Sequence, residues 1–130
     1  MIEGRIDLVE GPRIQVWISG RRDRVAIDAL LDTGFDGDLC LPIAVAVPLG
    51  LELRYVAQSE LADGSVVEDE LVFAGLADWD GEQVPVEIIL TRSRYALIGT
   101  GLLQGCDVRL NFVTGQIAID VVSPTRPGAI

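Results

Sequence analysis

Histidine is absent from this chain. Its absence excludes the Ser-His-Asp and Cys-His catalytic arrangements and the usual histidine-containing zinc sites. Cysteine is scarce as well, with only Cys40 and Cys106. Two thiols in a chain of this length make no disulfide framework, and alone they cannot complete a four-ligand zinc site. Positive charge is short: 10 Lys and Arg stand against 20 Asp and Glu, a formal net charge of −10. Such a chain repels phosphate backbones, so no nucleic-acid partner is expected. Long apolar runs are missing too. The longest, Ile43 to Leu51, is interrupted by Pro48 and is too short to span a bilayer. Met1-Ile2-Glu3-Gly4-Arg5 lacks the apolar core of a signal peptide. The expectation is a cytoplasmic protein with no membrane contact, no metal and no cofactor.

What is present is β-forming sequence. Hydrophobic residues make up 49 % of the 130 residues, and Val, Ile and Leu stretches are broken by Gly, Asp-Gly and Pro. The length suits one domain, read here as residues 1–122, with a tail from Ser123 expected to be disordered. Ile14, Val16 and Ile18 alternate with polar or exposed-type neighbours and predict a half-buried strand. Val25 to Leu31 returns after the turn at 19–23. Leu39 to Leu41 is a short strand, and Pro42 opens a helical turn through Ala46 that Pro48 and Gly50 end. Asp63-Gly64 lies between Leu53–Leu61 and Val66–Phe73, and Asp80-Gly81 between Leu76-Ala77 and Val84-Pro85-Val86; both are hairpin signals. Val86 to Leu90 and Ala96 to Ile98 read as further strands. Leu102-Leu103-Gln104 reads as a helical turn stopped by Gly105. Val108 to Phe112 and Gln116 to Val122 pair across Val113-Thr114-Gly115. A weak internal repeat relates Leu30-Leu31-Asp32-Thr33-Gly34-Phe35 to Leu97-Ile98-Gly99-Thr100-Gly101-Leu102.

One motif carries chemistry. The apolar strand Ala29-Leu30-Leu31 runs straight into Asp32-Thr33-Gly34. A carboxylate delivered at a tight turn faces open space, and the glycine lets the backbone approach it and donate a hydrogen bond. Hydrolysis of an amide without a metal or a nucleophilic side chain needs an acid and a base around one water. Two carboxylates held close supply both, because they share one proton: two like charges at that distance do not both ionise cheaply. The chain holds one such motif. A two-fold axis between two copies of Asp32 supplies the second carboxylate, so a homodimer is part of the chemistry. The bland reading of the tripeptide is an ordinary turn, since Asp, Thr and Gly are common turn residues.

The chain resembles the retropepsin-like aspartic proteases from roughly Ile14 to Phe112, and Asp-Thr-Gly-Phe is similar to a prokaryotic subgroup of them. Three ordered segments carry the resemblance: the strand and loop ending at Gly34, the Asp63-Gly64 hairpin at the place of the family's flap, and Leu97-Ile98-Gly99 followed by Leu102-Leu103, Gly105-Cys106 and Leu110-Asn111-Phe112. The resemblance implies an all-β, single-lobe, closed barrel of the pepsin/retropepsin type with one short helix, acting as a homodimer on an extended peptide. It implies Asp32 as the catalytic carboxylate, Thr33 interlocking with its symmetry mate, and Gly34 giving its backbone to the dyad and its carbonyl to substrate. Ala62, Asp63, Gly64 and Ser65 become the flap tip, Phe35 and Ile98 substrate contacts, and Leu97 to Gly99 a support beneath the loop. The sequence departs from the pattern at Phe35, where the family has a small or hydroxylated residue. The flap is poor in glycine. An extra hairpin through Gln116–Val122 follows the usual closing strand and implies a differently built dimer interface that residues Ile6 to Val9 join. The alternative on the same fold is a homodimeric peptide-binding module with weak or no catalysis. Asp36 and Asp38 are read as loop residues in preference to a cation site, Trp17 and Trp79 as packing residues, and Cys106 as buried in or near the interface.

Overall fold

A computed structural model describes residues 1–60 and 62–123, with the side chains of residues 59, 60 and 67–69 left aside. The expected disorder of the tail falls on residues 124–130, outside the described residues. The described chain forms ten strands: β1 (Ile2–Asp7), β2 (Gly11–Ser19), β3 (Arg24–Leu31), β4 (Leu39–Pro42), β5 (Glu52–Glu60), β6 (Val66–Trp79), β7 (Glu82–Thr91), β8 (Ala96–Ile98), β9 (Cys106–Leu110) and β10 (Gln116–Val121). Two four-residue helices, α1 (Ile43–Ala46) and α2 (Thr100–Leu103), complete it. None of its helices is long and apolar enough to cross a membrane.

Local chemistry places most of these elements. β2 buries Ile14, Val16 and Ile18 on one face, as period-two alternation dictates. Pro42 precedes α1, Pro48 opens the 3₁₀ turn at Val47–Leu49, and Gly50 stops it at φ +70°. At the β6–β7 hairpin both Asp80 (φ 52°) and Gly81 (φ 83°) take positive φ, the pair of values that matches the twist of a two-residue hairpin. Three elements differ from the sequence reading. β6 runs unbroken over 14 residues where two shorter strands are expected. β7 runs through Pro85, which pairs with Leu76 of β6, while β4 pairs with β7 only from Ile88 onward; a proline is tolerated where the ladder needs donors on one side alone. α2 begins at Thr100, two residues before the expected turn.

The strands follow the order β5-β6-β7-β4-β8-β3-β2-β1-β10-β9, with a further β6–β2 pairing through Ile18↔Ala77 and Ser19↔Leu76. β2, β3, β8, β4, β7 and β6 are therefore linked in a ring. Inside it lie Ile14, Ile18, Leu39, Leu41, Ile88, Ile98 and Leu102, each 1 % exposed or less. Burying each such side chain contributes about 1.5–3 kcal/mol before the entropy cost of ordering it. Trp79 packs into this core at 5 % exposure; Trp17 does not, being 41 % exposed beneath the Arg24 guanidinium 4.4 Å from its ring centre. Cys106, expected to be buried in or near the dimer interface, is half-buried on β9 in the single chain.

The internal repeat has a spatial meaning. β3 and β8 pair in parallel, Leu30↔Leu97 and Leu31↔Ile98, so the two copies of the repeat lie side by side in register. Asp32 and Gly99 thus leave their strands together.

Candidate active site

Asp32 is the first residue beyond β3. Its N–H donates to the Ile98 carbonyl at 2.9 Å, which extends the parallel ladder one residue and fixes where the turn starts. The Gly34 N–H then donates to Asp32 Oδ1 at 2.9 Å, and the Phe35 N–H to the Asp32 carbonyl at 3.2 Å. The result is a tight turn whose carboxylate is half-buried with one oxygen held by a backbone donor. Thr33 and Gly34 are exposed. The Thr33 hydroxyl has no hydrogen-bond partner among the described residues.

The loop after the turn is locked to the chain after β8. Gly99 N–H donates to the Asp38 carbonyl (3.0 Å), Thr100 N–H to the Phe35 carbonyl (2.8 Å) and Gly101 N–H to the Gly37 carbonyl (3.0 Å). The Thr100 hydroxyl adds a 3.3 Å bond to the Phe35 carbonyl. The approach is so close that a Cβ on Gly99 would stand 2.2 Å from the Gly37 carbonyl oxygen. The Phe35 ring lies over Gly37 and Gly99, where added Cβ atoms would meet it at 2.5 and 2.6 Å. Asp38 ties the loop to the next layer: its Oδ2 accepts the Glu87 N–H of β7 at 2.9 Å. Glu87 in turn accepts from the Tyr55 hydroxyl of β5, a bond that raises the Tyr55 pKa. Asp38 is thus a brace for the Asp32 loop, a role the Asp-Gly-Asp pattern alone does not signal. Among the described residues no group of three or more metal-ligating side chains converges.

β8 separates two expected roles. Leu97 is half-buried and Ile98 fully buried, because consecutive residues of a strand face opposite sides. The Ile98 side chain belongs to the core, and its carbonyl serves Asp32. The Ile98 side chain, expected to meet substrate, is buried in the single chain, and Leu97 is the β8 side chain on the opposite face.

The β5–β6 hairpin tip is exposed throughout Ala62, Asp63, Gly64 and Ser65. Asp63 Oδ1 accepts from both the Ser65 hydroxyl (2.6 Å) and the Ser65 N–H (2.9 Å), and Gly64 sits at φ +86°. No hydrogen bond among the described residues joins this tip to residues 32–35. The Ser65 hydroxyl and then its N–H hold the Asp63 carboxyl below its ordinary value of 3.8. A carboxylate lowered in this way supports the turn fully above pH 3.8 and loses that support as pH falls through the lowered value. The Ser65 amide proton resonance is expected to hold steady above pH 3.8 and to move only below it, as followed by NMR titration.

No protein-family model matches the chain, and no curated protein matches it at significance. Solved structures do. EIAV protease complexed with the inhibitor HBY-793 superposes with a TM-score of 0.52 at 20 % identity, covering 75 % of this chain and 89 % of that one. The retroviral protease-like domain of Ddi1 from Leishmania major superposes with a TM-score of 0.50 at 16 % identity, covering 83 % and 88 %. The nearly all-β chain, with its Asp32 turn interlocked with the residues after β8, has the fold of the retroviral-type proteases.

Proposed function

We propose that this chain is an aspartic endopeptidase that works as a homodimer, hydrolysing a peptide bond with a water held between Asp32 of two copies. The observation that carries the reading is the Asp32 turn itself. It is a single carboxylate, half-buried at the end of β3 and held by the Gly34 N–H at 2.9 Å, on a retropepsin-like fold. One such group per chain is half of an acid–base pair. In the dimer the ionised Asp32 takes a proton from water while the protonated one donates to the scissile carbonyl oxygen. The water oxygen bonds to the carbonyl carbon. Collapse of the tetrahedral species breaks the C–N bond as the nitrogen takes a proton, and the pair returns to one proton shared between two carboxylates. Thr33, exposed and with its hydroxyl available, interlocks with Thr33 of the other copy beneath the pair.

The β5–β6 hairpin acts as the flap, Ala62 to Ser65 closing over a peptide that adds to the sheet as a strand. Phe35 and Leu97 border the subsites. The prokaryotic Asp-Thr-Gly-Phe grouping belongs to the same proposal. One observation favours a peptide-binding module without turnover: Phe35 brings no hydroxyl to Asp32, and the Gly34 N–H alone meets the carboxylate among the described residues. Digestion of a diverse peptide library from acid to neutral pH separates the two. Cleavage by the wild type and none by Asp32→Ala supports the protease. Peptide binding by both chains, with no cleavage at any pH, supports the module.

A further inference from the structure

Two hairpin tips next to the Asp32 turn hold large apolar side chains in water. At the β1–β2 turn Leu8 is 101 % and Val9 93 % exposed; at the β9–β10 turn Phe112 is 76 % and Val113 96 % exposed, with Leu110 beside them at 40 %. Both tips are braced in the same way. Asp7 Oδ1 accepts the Val9 and Glu10 N–H groups, each at 2.8 Å. Asn111 Oδ1 accepts the Val113 N–H at 2.9 Å and the Thr114 N–H at 3.1 Å. Each side-chain oxygen fixes a turn that presents a consecutive apolar pair. The tips are neighbours, since Arg5 pairs with Gln116 and the Ile6 N–H donates to the Gly115 carbonyl at 2.8 Å. They also adjoin the active-site turn. β2 and β3 pair as Arg13↔Leu30, and the same register carried two residues further sets Gly11 abreast of Asp32. The Asp32 turn, the Leu8-Val9 tip and the Phe112-Val113 tip therefore line one end of the sheet.

We infer that these two tips form the main contact between two copies of the chain, in an interface of apolar hairpin ends beside the two Asp32 turns. The inference rests on the two-copy reading of the site and names the surface that assembles it. A two-fold axis beside Asp32 has to pass along this end of the sheet, and a patch facing its own symmetry mate must be self-complementary. The apolar pairs satisfy that condition, with the Asp7 carboxylate turned onto the Val9 and Glu10 N–H groups and Glu10 set 3.5 Å from Arg13, whereas chains that each carry −10 repel through any face that displays the net charge. The same charge disfavours an anionic lipid surface as the occupant. The five side chains offer on the order of 500 Å² of apolar surface. That is at the upper end of what a monomer leaves in water and a large share of the about 800 Å² per partner in a standard interface.

Sedimentation velocity on the full chain over a concentration series tests this, with Val9→Asp and Phe112→Asp made separately and Phe112→Ser as the uncharged companion. These side chains are exposed, so thermal unfolding of all three variants is expected within a few degrees of wild type. The wild type is expected to dimerise at micromolar concentration. The Asp variants are expected to weaken the dimer by at least about 100-fold, and Phe112→Ser by a smaller factor, as a buried patch predicts. A wild type and variants that dimerise equally well would overturn the assignment of the tips while leaving the two-copy site standing. A wild type that stays monomeric at all concentrations, with peptide present, would overturn both.

Discussion

Asp32→Ala is expected to lower the rate of peptide hydrolysis by about 10⁴-fold or more while leaving the chain folded. The size of the loss follows from symmetry. In the proposed two-copy site one substitution in the gene removes both carboxylates of the pair, so acid and base disappear together, and each such role contributes about 10²–10⁴-fold. The fold survives because the main-chain bonds of the turn do not involve the carboxylate. Asp32 N–H to the Ile98 carbonyl and Phe35 N–H to the Asp32 carbonyl both persist. The substitution forfeits the bond from the Gly34 N–H to Asp32 Oδ1, on an exposed turn, at a cost of about 1 kcal/mol. Turnover measured beside thermal unfolding separates the two effects.

The second large effect concerns a residue with no side chain. Gly99→Ala is expected to destabilise the chain by about 2–4 kcal/mol and to reduce hydrolysis beyond the loss of folded protein. Gly99 has φ −98° and ψ 176°, values open to any residue, so conformational freedom is not what it supplies. It supplies space. A Cβ there would lie 2.2 Å from the Gly37 carbonyl oxygen and 2.6 Å from both the Phe35 carbonyl oxygen and its ring. Two of those three contacts are backbone, which yields poorly. Relief requires opening the three backbone bonds and the Thr100 hydroxyl bond that join residues 99–101 to the loop at 35–38, and that loop is the continuation of the Asp32 turn. Gly64→Ala is the contrasting case: its Cβ meets nothing within 4 Å, and the cost is limited to the φ of +86°, about 1 kcal/mol. Denaturant unfolding of the two variants measures the difference.

Much of this architecture is legible where the signal is local. The alternation of Ile14, Val16 and Ile18 fixes the buried face of β2, and Asp80-Gly81 marks a hairpin because few residues accept positive φ. Asp32-Thr33-Gly34 after an apolar strand places a carboxylate at a turn, and the turn forms as that reading expects. What escapes the sequence is non-local. β1 carries no strand signature, since Glu3-Gly4-Arg5 reads as polar; it is a strand because Ile2 to Arg5 pair with residues 116–119 at the far end of the chain. The β6–β2 pairing joins residues nearly 60 positions apart and leaves no local trace. Leu97 and Ile98 are chemically alike, and only the register with β3 and β4 decides that Ile98 faces the core. Asp38 looks like any loop aspartate until β7 brings the Glu87 N–H to it. Leu8 and Val9 are apolar, yet the Asp7 cap holds them in an exposed tip.

A catalytic centre that draws one Asp32 from each copy is tested most directly by mixing. Wild type and Asp32→Ala are combined at constant total concentration, allowed to exchange subunits, and assayed across the range of mixing ratios. If the centre needs two Asp32, activity follows the square of the wild-type fraction, and an equal mixture retains about a quarter of the wild-type rate. A straight-line decline, with half the rate left in the equal mixture, would mean that each chain works with its own Asp32 alone and would contradict the shared site.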